Sequence, residues 1–248
     1  MNAAAPLRIE TSIPRETAPH PALSALKTSR WFASFPQTSL TALATPSSLR
    51  SYSSGQVVAP EGKSCSSIVL VVKGRVRAVR RAEGGREMTV EVHRAGELLT
   101  EALFDPAGIL PNDWVAGETS LLLFIPKDDF IAQVRQLPEA ALMLARDFER
   151  RLARVKTLAC GLALADVQTR LYDALARLAR EEGEPGPDGT VVRKCPTQQE
   201  LGNEIGACRE TVSRMIAELA RQELVSLKGR RLTISPRFLT RSTVSGAA

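Results

Sequence analysis

The hydrophobic periodicity of the chain changes near Pro138, from a pattern typical of strands to one typical of helices. Between residues 51 and 126, short apolar runs such as SSIVLVVKG are separated by glycines. These turn candidates are Gly74, Gly84, Gly85 and Gly96. Because glycine between β-type runs marks tight turns, this part of the chain predicts successive antiparallel hairpins in a compact sandwich or barrel.

After Pro138 the apolar residues recur at alternating steps of three and four, the heptad rhythm of a helix that packs along a partner helix. The members of this stripe are Ala145, Phe148, Leu152, Val155, Ala159 and Leu162. Charged residues occupy the other faces of the helix, namely Arg146, Glu149, Arg150, Arg151 and Arg154. Two interpretations fit the stripe: it packs on the chain's own β domain, or it forms the seam of a coiled-coil-like homodimer. We favour the second.

A second module begins after residues 181–190, where glycines and prolines break the helical pattern. Thr197 and Glu200 have the spacing of a capping box, and Gly206 supplies a turn before a helix predicted over about 209–222. Two short helices joined by a glycine turn are typical of a helix-turn-helix. The residues expected to face inward are Leu201, Ile205, Val212, Ile216 and Leu219.

Basic residues concentrate in this C-terminal module. A hairpin predicted over 224–234 carries Lys228, Arg230 and Arg231 at its turn. The chain has a net charge of +6, and residues 190–248 alone hold 10 lysines and arginines against 5 aspartates and glutamates. A basic module on a nearly neutral body favours a polyanionic partner, with nucleic acid first among the candidates. A basic surface that only keeps the protein in solution is the other interpretation.

Composition argues against membrane, disulfide and zinc scaffolds. The longest apolar runs, 68–72 and 121–125, fall far short of the roughly 20 residues that a spanning helix needs, and the N-terminus lacks the apolar stretch of a secretory signal. The chain has only two histidines, and its cysteines form no C-x-x-C pair. The cysteines are Cys65, Cys160, Cys195 and Cys208. We therefore expect a cytoplasmic protein with no metal and no cofactor.

Catalysis is not expected either. The sequence contains no P-loop, nucleophile elbow or metal-ligand set. His20 falls in the proline-rich N-terminus and His93 in an apparent strand, where a structural role is the ordinary expectation for a solitary histidine. A chain of 248 residues leaves no room for a catalytic domain beside the two modules already assigned.

The start of the second helix of the helix-turn-helix holds the candidate base-reading residues. In such motifs these first residues enter the major groove, where arginine binds guanine O6 and N7 and glutamate accepts a hydrogen bond from cytosine N4. The residues that project on one side are Arg209, Glu210, Ser213 and Arg214. A solvated amphipathic helix is the alternative, but the capping box, the glycine turn and the basic hairpin together favour DNA reading.

Two segments resemble the Crp/Fnr family, the relatives of the cyclic AMP receptor protein and the fumarate-nitrate regulator. The segment TQQELGNEIGACRETVSRMIAELARQELVSLKGRRLTI resembles the family's DNA-binding module, without gaps through both helices, and IVLVVKGRVRAVRRAEGGREMTVEVHRAGELL resembles its β-roll. The likeness covers about residues 51–234. It implies an α+β fold with an N-terminal β-roll of the cyclic-nucleotide-binding jelly-roll type, a long dimerisation helix and a C-terminal winged helix-turn-helix.

The resemblance also implies a domain organisation. The expected parts are a flexible N-terminal arm over 1–30, a sensory β-roll over 31–137, a dimerisation helix and hinge over 138–182, a winged helix-turn-helix over 183–238 and a flexible tail over 239–248. The implied function is that of a homodimeric, sequence-specific transcription regulator, with double-stranded DNA and RNA polymerase as partners.

Residue by residue, Arg209, Glu210 and Arg214 match base-reading residues of the family, and Ser213 matches a base-contacting serine. Further candidate DNA contacts are Thr197, Gln198, Lys228, Arg230 and Arg231. The implied half-site is of the TGTGA or TTGAT kind. Two-fold symmetry would place two half-sites in an inverted repeat, about one helical turn apart.

The sensory part departs from the family's pattern. In the family's cyclic-nucleotide binders an Arg-Ser pair holds the cyclic phosphate, and the matching positions here hold Pro111 and Asn112. A phosphate without this guanidinium loses a bidentate, charge-assisted partner. The Thr-Ser pair of the long helix that touches adenine aligns with Val155 and Lys156, so only Glu101 survives from the pattern.

Cyclic AMP is therefore not expected in the usual pocket. Glu101, Asn112 and Lys156 are the candidates for contacting a different effector, such as cyclic di-GMP. Iron–sulfur sensing lacks its N-terminal cysteine cluster, because the first cysteine is Cys65, and haem has no evident ligand beyond His93. Binding DNA without any small ligand is the remaining alternative, and the altered phosphate site favours it.

Cys208 raises a redox hypothesis. It lies just before Arg209 at the start of the recognition helix, where family members usually carry a small hydroxyl residue. The helix dipole and the adjacent guanidinium would favour a reactive thiolate, and oxidation would place a bulky or anionic group against the DNA phosphates. The other interpretation is that cysteine merely replaces serine as a small residue.

Overall fold

The computed structural model describes residues 21–240 in full and the backbone of residues 241–244. The chain forms an N-terminal β domain with helices at its entry, a long central helix, and a C-terminal domain of helices with a small sheet. This architecture confirms the predicted α+β class.

Three short helical segments lead into the β domain. They are α1 Pro21–Thr28, a 3₁₀ helix Arg30–Phe32 and α2 Gln37–Ala44. Leu26 and Leu43 are fully buried in the core that these segments share with one sheet. The entry segments are therefore part of the folded domain.

The prediction of a flexible arm over 1–30 is wrong for residues 21–30. Ala22, Ala25 and Leu26 are buried on one face of α1 because they recur at helical spacing. The proline- and serine-rich composition of the N-terminus hid this short amphipathic pattern. Residues 1–20 of the predicted arm, with His20, lie outside the described part of the chain.

Among the described residues, eight antiparallel strands form the β domain in two sheets of four. The strands are β1 Ser48–Tyr52, β2 Val57–Ala59, β3 Ser67–Lys73, β4 Arg75–Arg81, β5 Glu87–Arg94, β6 Leu98–Leu99, β7 Asp113–Ala116 and β8 Ser120–Pro126. One sheet has the order β1-β8-β3-β6 and the other β2-β7-β4-β5. This double sheet confirms the predicted β-roll.

The glycines lie at turns, as the sequence predicts, but they do different things there. Gly84 and Gly85 close the β4–β5 hairpin, whereas Gly74 and Gly96 carry the chain from one sheet to the other. Gly74 has a φ of +87°, and a Cβ there would overlap the Ser120 hydroxyl, so the crossing requires glycine. Successive hairpins are thus the wrong description of these two crossings.

The apolar faces of the two sheets meet in a core. Its buried members are Val69, Val71, Val76, Ala78, Leu99, Ala102, Leu110, Trp114, Leu122 and Phe124. Most of them come from alternate positions of the strands, which is how a pleated sheet turns one face inward. This core holds the strands that carry the sensory site.

The long helix follows the β domain. α3 Lys127–Gln136 leads into α4 Pro138–Leu164, one continuous helix of 27 residues that begins with proline at its first turn. α5 Val167–Glu182 follows after a break at Asp166, whose side chain accepts a hydrogen bond from the Thr169 amide. The N-cap at Asp166 thus starts a new helix rather than extending α4.

The apolar stripe of α4 is largely uncovered in a single chain. Phe148 packs partly on the β domain, but Leu152 is 54% exposed, Val155 41% and Leu162 38%. Packing on the chain's own β domain is therefore the wrong interpretation for the C-terminal part of the stripe.

The C-terminal domain contains the predicted helix-turn-helix and hairpin. Its elements are β9 Gly183–Gly186, β10 Gly189–Val192, α6 Gln198–Ile205, α7 Arg209–Arg221, β11 Val225–Lys228, β12 Arg231–Ile234 and α8 Pro236–Val244. The strands form one sheet in the order β11-β12-β10-β9. Around this sheet, α5, α6 and α7 share one core, in which Leu171, Leu201 and Val212 have no exposed surface.

Two details of this domain differ from the sequence prediction. The glycine- and proline-rich stretch forms the hairpin β9–β10 instead of a plain break. The tail predicted over 239–248 is helical as far as Val244, because α8 packs through Phe238, which is buried and stacks on Tyr172. Residues 245–248 lie outside the described part of the chain.

No helix between residues 21 and 244 combines the length and the apolarity that crossing a bilayer demands.

Candidate DNA interface and sensory site

The helix-turn-helix is built by local signals that the structure confirms. The Thr197 hydroxyl accepts from the Glu200 amide at 3.1 Å, and the Glu200 carboxylate accepts from the Thr197 amide at 2.7 Å. This capping box starts α6, and Gly206, with a φ of +67°, ends it in the left-handed region. The turn directs the chain into α7.

The recognition helix α7 has one buried and one exposed face. Val212, Ile216 and Leu219 are buried, as predicted. Arg209, Glu210 and Arg214 are exposed, and Ser213 is half-buried beside them. The first two turns of α7 therefore present two guanidinium groups and one carboxylate, which are the groups that read guanine and cytosine edges in a major groove.

The hairpin β11–β12 is the wing. Gly229, with a φ of +60°, helps form the two-residue turn, and Lys228 pairs with Arg231 across the hairpin. Both side chains are exposed and available to a phosphate. Arg230 is held differently: its Nε donates to the Cys195 carbonyl at 3.0 Å and its Nη2 lies 3.6 Å from Glu200. It is thus engaged within the domain.

The remaining candidate DNA contacts lie at the start of α6. Thr197 is exposed, but its hydroxyl already accepts the capping hydrogen bond from the Glu200 amide. Gln198 is half-buried. Glu200 also faces the sensory domain, with carboxylate oxygens 3.9 Å from Arg75 Nη2 and 4.0 Å from Arg77 Nε. The sensory strands therefore contact α6 while α7 stays exposed.

Cys208 is the N-cap of α7 and is exposed. Its Sγ lies 3.1 Å from the Thr211 hydroxyl. Cys195 is buried, and burial raises the pKa of its thiol to about 11, which keeps it protonated and unreactive. Of these two thiols, the one of Cys208 is exposed to solvent and the one of Cys195 is not.

The sensory site lies where the short loop after β6 meets α4. Glu101 is nearly buried, and its Oε2 accepts from Trp114 Nε1 at 2.9 Å. Asn112 lies close enough to Glu101 to lower its pKa, so the structure brings these two predicted residues together. Burial raises the pKa of Glu101, against the opposing effects of Trp114 and Arg151. Lys156, the third candidate, is exposed on α4.

The residue that sequence reasoning missed is Arg151. Its Nη2 and Nε lie 2.8 and 3.1 Å from Glu91 Oε2, and its Nη1 donates to the Thr100 hydroxyl at 2.7 Å. Its Nη2 is also 4.0 Å from Glu101. One guanidinium thus joins α4 to β5 and to the loop after β6. Arg151 lies one helical turn before Val155, the position aligned with the family's adenine contact.

His93 lines the same site. It is 2% exposed, and its Nε2 lies 3.5 Å from Glu91 Oε2. Burial, reinforced by three nearby arginines, lowers the pKa of His93 to about 3, so the imidazole is neutral at physiological pH. The site therefore holds two carboxylates, one neutral imidazole and one guanidinium.

The fold and the site together define a class of protein: a DNA-binding transcription regulator with a sensory domain of the cyclic-nucleotide-binding type. A family described as "Cyclic nucleotide-binding domain" matches residues 49–136, and one described as "Crp-like helix-turn-helix domain" matches residues 169–237. The chain belongs to the Crp/Fnr family of transcription regulators.

Known relatives agree with this assignment. The "cAMP-activated global transcriptional regulator CRP" of Haemophilus influenzae is 29% identical over 189 residues, which cover 75% of this chain and 83% of the relative. The solved structure of CLP, described as a c-di-GMP responsive global regulator of Xanthomonas campestris, has a TM-score of 0.68 at 22% identity and covers 81% of this chain and 99% of its own. The solved structure of FixK2 from Bradyrhizobium japonicum has a TM-score of 0.71 at 17% identity, and the match covers 82% of this chain and 98% of FixK2.

Proposed function

We propose that this protein is a homodimeric transcription regulator that binds an inverted-repeat operator without needing a cyclic nucleotide. The observation that carries the ligand-independent part is the contact set of Arg151, which ties the long helix to Glu91 and Thr100. The exposed face of α7 carries the DNA-binding part.

Arg151 makes a connection that a bound nucleotide makes elsewhere in the family. A nucleotide held by the Arg-Ser pair and the Thr-Ser pair contacts the β-roll and the long helix at once. Here a guanidinium of the long helix contacts β5 and the loop after β6. A side chain is always present, so this connection between the long helix and the β-roll needs no ligand.

The charges of the site support the same conclusion. Glu91 and Glu101 are both less than a sixth exposed, and both carboxylates lie beside the guanidinium of Arg151. Pro111 and Asn112 provide no guanidinium there. A cyclic phosphate would therefore lack the bidentate partner that the Arg-Ser pair supplies in the family's nucleotide binders, which disfavours its binding.

The uncovered stripe of α4 supports the homodimer. Leu152, Val155 and Leu162 are apolar, exposed and spaced at three and four residues, which is the arrangement of a seam between two parallel helices. A second copy of the chain would cover the same residues on both helices. The dimer would present two α7 helices to two half-sites one helical turn apart.

Each half-site would be read by Arg209, Glu210 and Arg214, with half-sites of the TGTGA or TTGAT kind. Lys228 and Arg231 of the wing are the cations best placed for phosphates, because Arg230 is engaged by Cys195 and Glu200. RNA polymerase is the expected protein partner at promoters. Control through oxidation of Cys208 is the second candidate, favoured by its exposure beside the DNA-reading residues.

Selection from a randomised duplex pool tests the proposal. The purified chain is expected to enrich an inverted repeat without added ligand, and to the same extent with cyclic AMP, cyclic GMP or cyclic di-GMP. Enrichment only with one of these nucleotides would overturn the ligand-independent part. Failure to enrich any sequence under all conditions would overturn DNA reading itself.

A pair of variants tests the role of Arg151. Arg151→Gln is expected to weaken operator binding because the link between α4 and β5 loses its charge. Arg150→Gln is the matched control, since Arg150 lies next to it on α4 but is 70% exposed. Circular dichroism first shows that both variants are folded. Equal operator affinities of the two folded variants would then contradict the role of Arg151.

A further inference from the structure

Three side chains that can ligate a metal ion meet inside the sensory site. Glu91 and His93 are two residues apart on β5 and therefore share one face of the strand, and Glu101 comes from the loop after β6. One ligand atom of each residue lies within 4.8 Å of the others. One imidazole nitrogen with two carboxylate oxygens suits zinc, iron(II) or manganese(II) better than calcium or magnesium.

His93 supplies a second and independent observation. Its side chain is 3% exposed, and its Nε2 has no hydrogen-bond partner among the described residues. Leaving a buried ring nitrogen unpaired is costly, and native structures rarely do so without a reason. The nitrogen lies on the side of Glu91, where a metal ion would pair with it.

We propose that Glu91, His93 and Glu101 form a binding site for a divalent transition-metal ion, and that Arg151 occupies the cation position until the ion displaces it. The charge balance favours this exchange, because two carboxylates compensate an ion of charge +2. They would not compensate the ion and a retained guanidinium together. Trp114 already orients Glu101 by binding its Oε2, which leaves Oε1 for the ion.

The exchange would also change the link between the sensory domain and α4. When the ion binds Glu91, Arg151 loses its contacts of 2.8 and 3.1 Å to that residue. The guanidinium that holds α4 against β5 is then released. We therefore expect the metal to weaken operator binding. This consequence rests on the proposed function, whereas metal binding itself does not.

Metal uptake by the full chain tests the site directly. The protein carries Cys160→Ser and Cys208→Ser, since these two thiols are exposed and cysteine thiolates are zinc ligands. After treatment with a chelator it is titrated with Zn²⁺ against a chromophoric competitor, and parallel titrations use Fe²⁺ and Mn²⁺. The expected result is one ion per chain.

Four variants locate the ion. His93→Gln and Glu101→Gln are each expected to weaken the affinity at least about 10-fold, because loss of even an outer-shell partner costs about that much. Glu97→Gln changes a half-buried carboxylate that is close by in sequence and is not part of the cluster, and it should leave the affinity unchanged. Arg151→Gln should tighten binding by about 10-fold or more, because the competing cation is gone. A purely structural role for these residues gives no such gain.

The outcomes separate the site from the proposed function. A parent chain that takes up no ion, or one whose affinity is the same with His93→Gln, overturns the metal site. If Arg151→Gln does not fold, the His93, Glu101 and Glu97 variants still decide the matter. Metal uptake is measured without DNA, so a failure of operator binding leaves its result intact.

Discussion

Truncation of Leu152 tests the dimer seam. The side chain is 54% exposed in the single chain, so a partner helix would remove about half of its surface from water. Full burial of a leucine is worth about 1.5–3 kcal/mol, which makes the covered half worth about 1 kcal/mol. Because two-fold symmetry places the residue at the interface twice, Leu152→Ala should cost about 2 kcal/mol of dimerisation free energy. This corresponds to a dissociation constant raised roughly 30-fold.

Sedimentation equilibrium of the full chain over a range of concentrations measures this constant. Leu142→Ala is the matched control, because Leu142 lies on the same helix and is 50% exposed. With 3.6 residues per turn, Leu142 lies about 110° around the helix axis from the centre of the apolar stripe, so a partner helix on the stripe would not cover it. The dimer seam would be refuted by a parent chain that stays monomeric, or by equal dissociation constants for the two variants. Operator binding of Leu152→Ala should fall in parallel, since each operator needs two α7 helices.

Three further predictions concern DNA. Arg214→Ala should cost about 1–3 kcal/mol of operator binding and relax the preference at one base pair, measured by competition with single-base operator variants; an unchanged preference would argue against base reading. Lys228→Ala should lower the slope of log affinity against log salt by about 1 for every sequence, whereas Arg230→Ala should lower it less because its guanidinium is engaged by Cys195 and Glu200. If Cys208 is a redox switch, Cys208→Ser should abolish the loss of operator binding after peroxide treatment. Equal losses in the variant and the parent chain would contradict the switch and favour the interpretation that cysteine merely replaces a small serine.

The C-terminal domain was predictable because its signals are local. Thr197 and Glu200 are three residues apart, and the capping box needs no other part of the chain to form. The apolar residues of α7 and the glycine of the turn act over similarly short distances. The same reasoning failed for α1, where an amphipathic pattern of eight residues was read as part of a proline-rich arm. A short amphipathic pattern within a proline- and serine-rich stretch is a weak signal for a helix. A helix of eight residues is stable here only because it packs on the β domain.

The sensory site was only partly predictable because it is assembled from distant segments. Glu101 and Asn112 were found through a resemblance in sequence, and the structure places them close to each other. Arg151 was read as one of several charged residues on the outer faces of α4. Its contact with Glu91 spans 60 residues of sequence, and no periodicity or spacing encodes that distance.

The sign of the charge in the sensory site links the two proposals. A cavity that binds a cyclic phosphate must supply positive charge, whereas this one directs the carboxylates of Glu91 and Glu101 toward a single guanidinium. An anion cannot replace Arg151 there without leaving both carboxylates uncompensated, which is strongly unfavourable in a buried site. A cation can replace it at no net loss of charge. We therefore expect the signals of this β-roll to be groups that compete with a guanidinium, a class to which a divalent metal ion belongs.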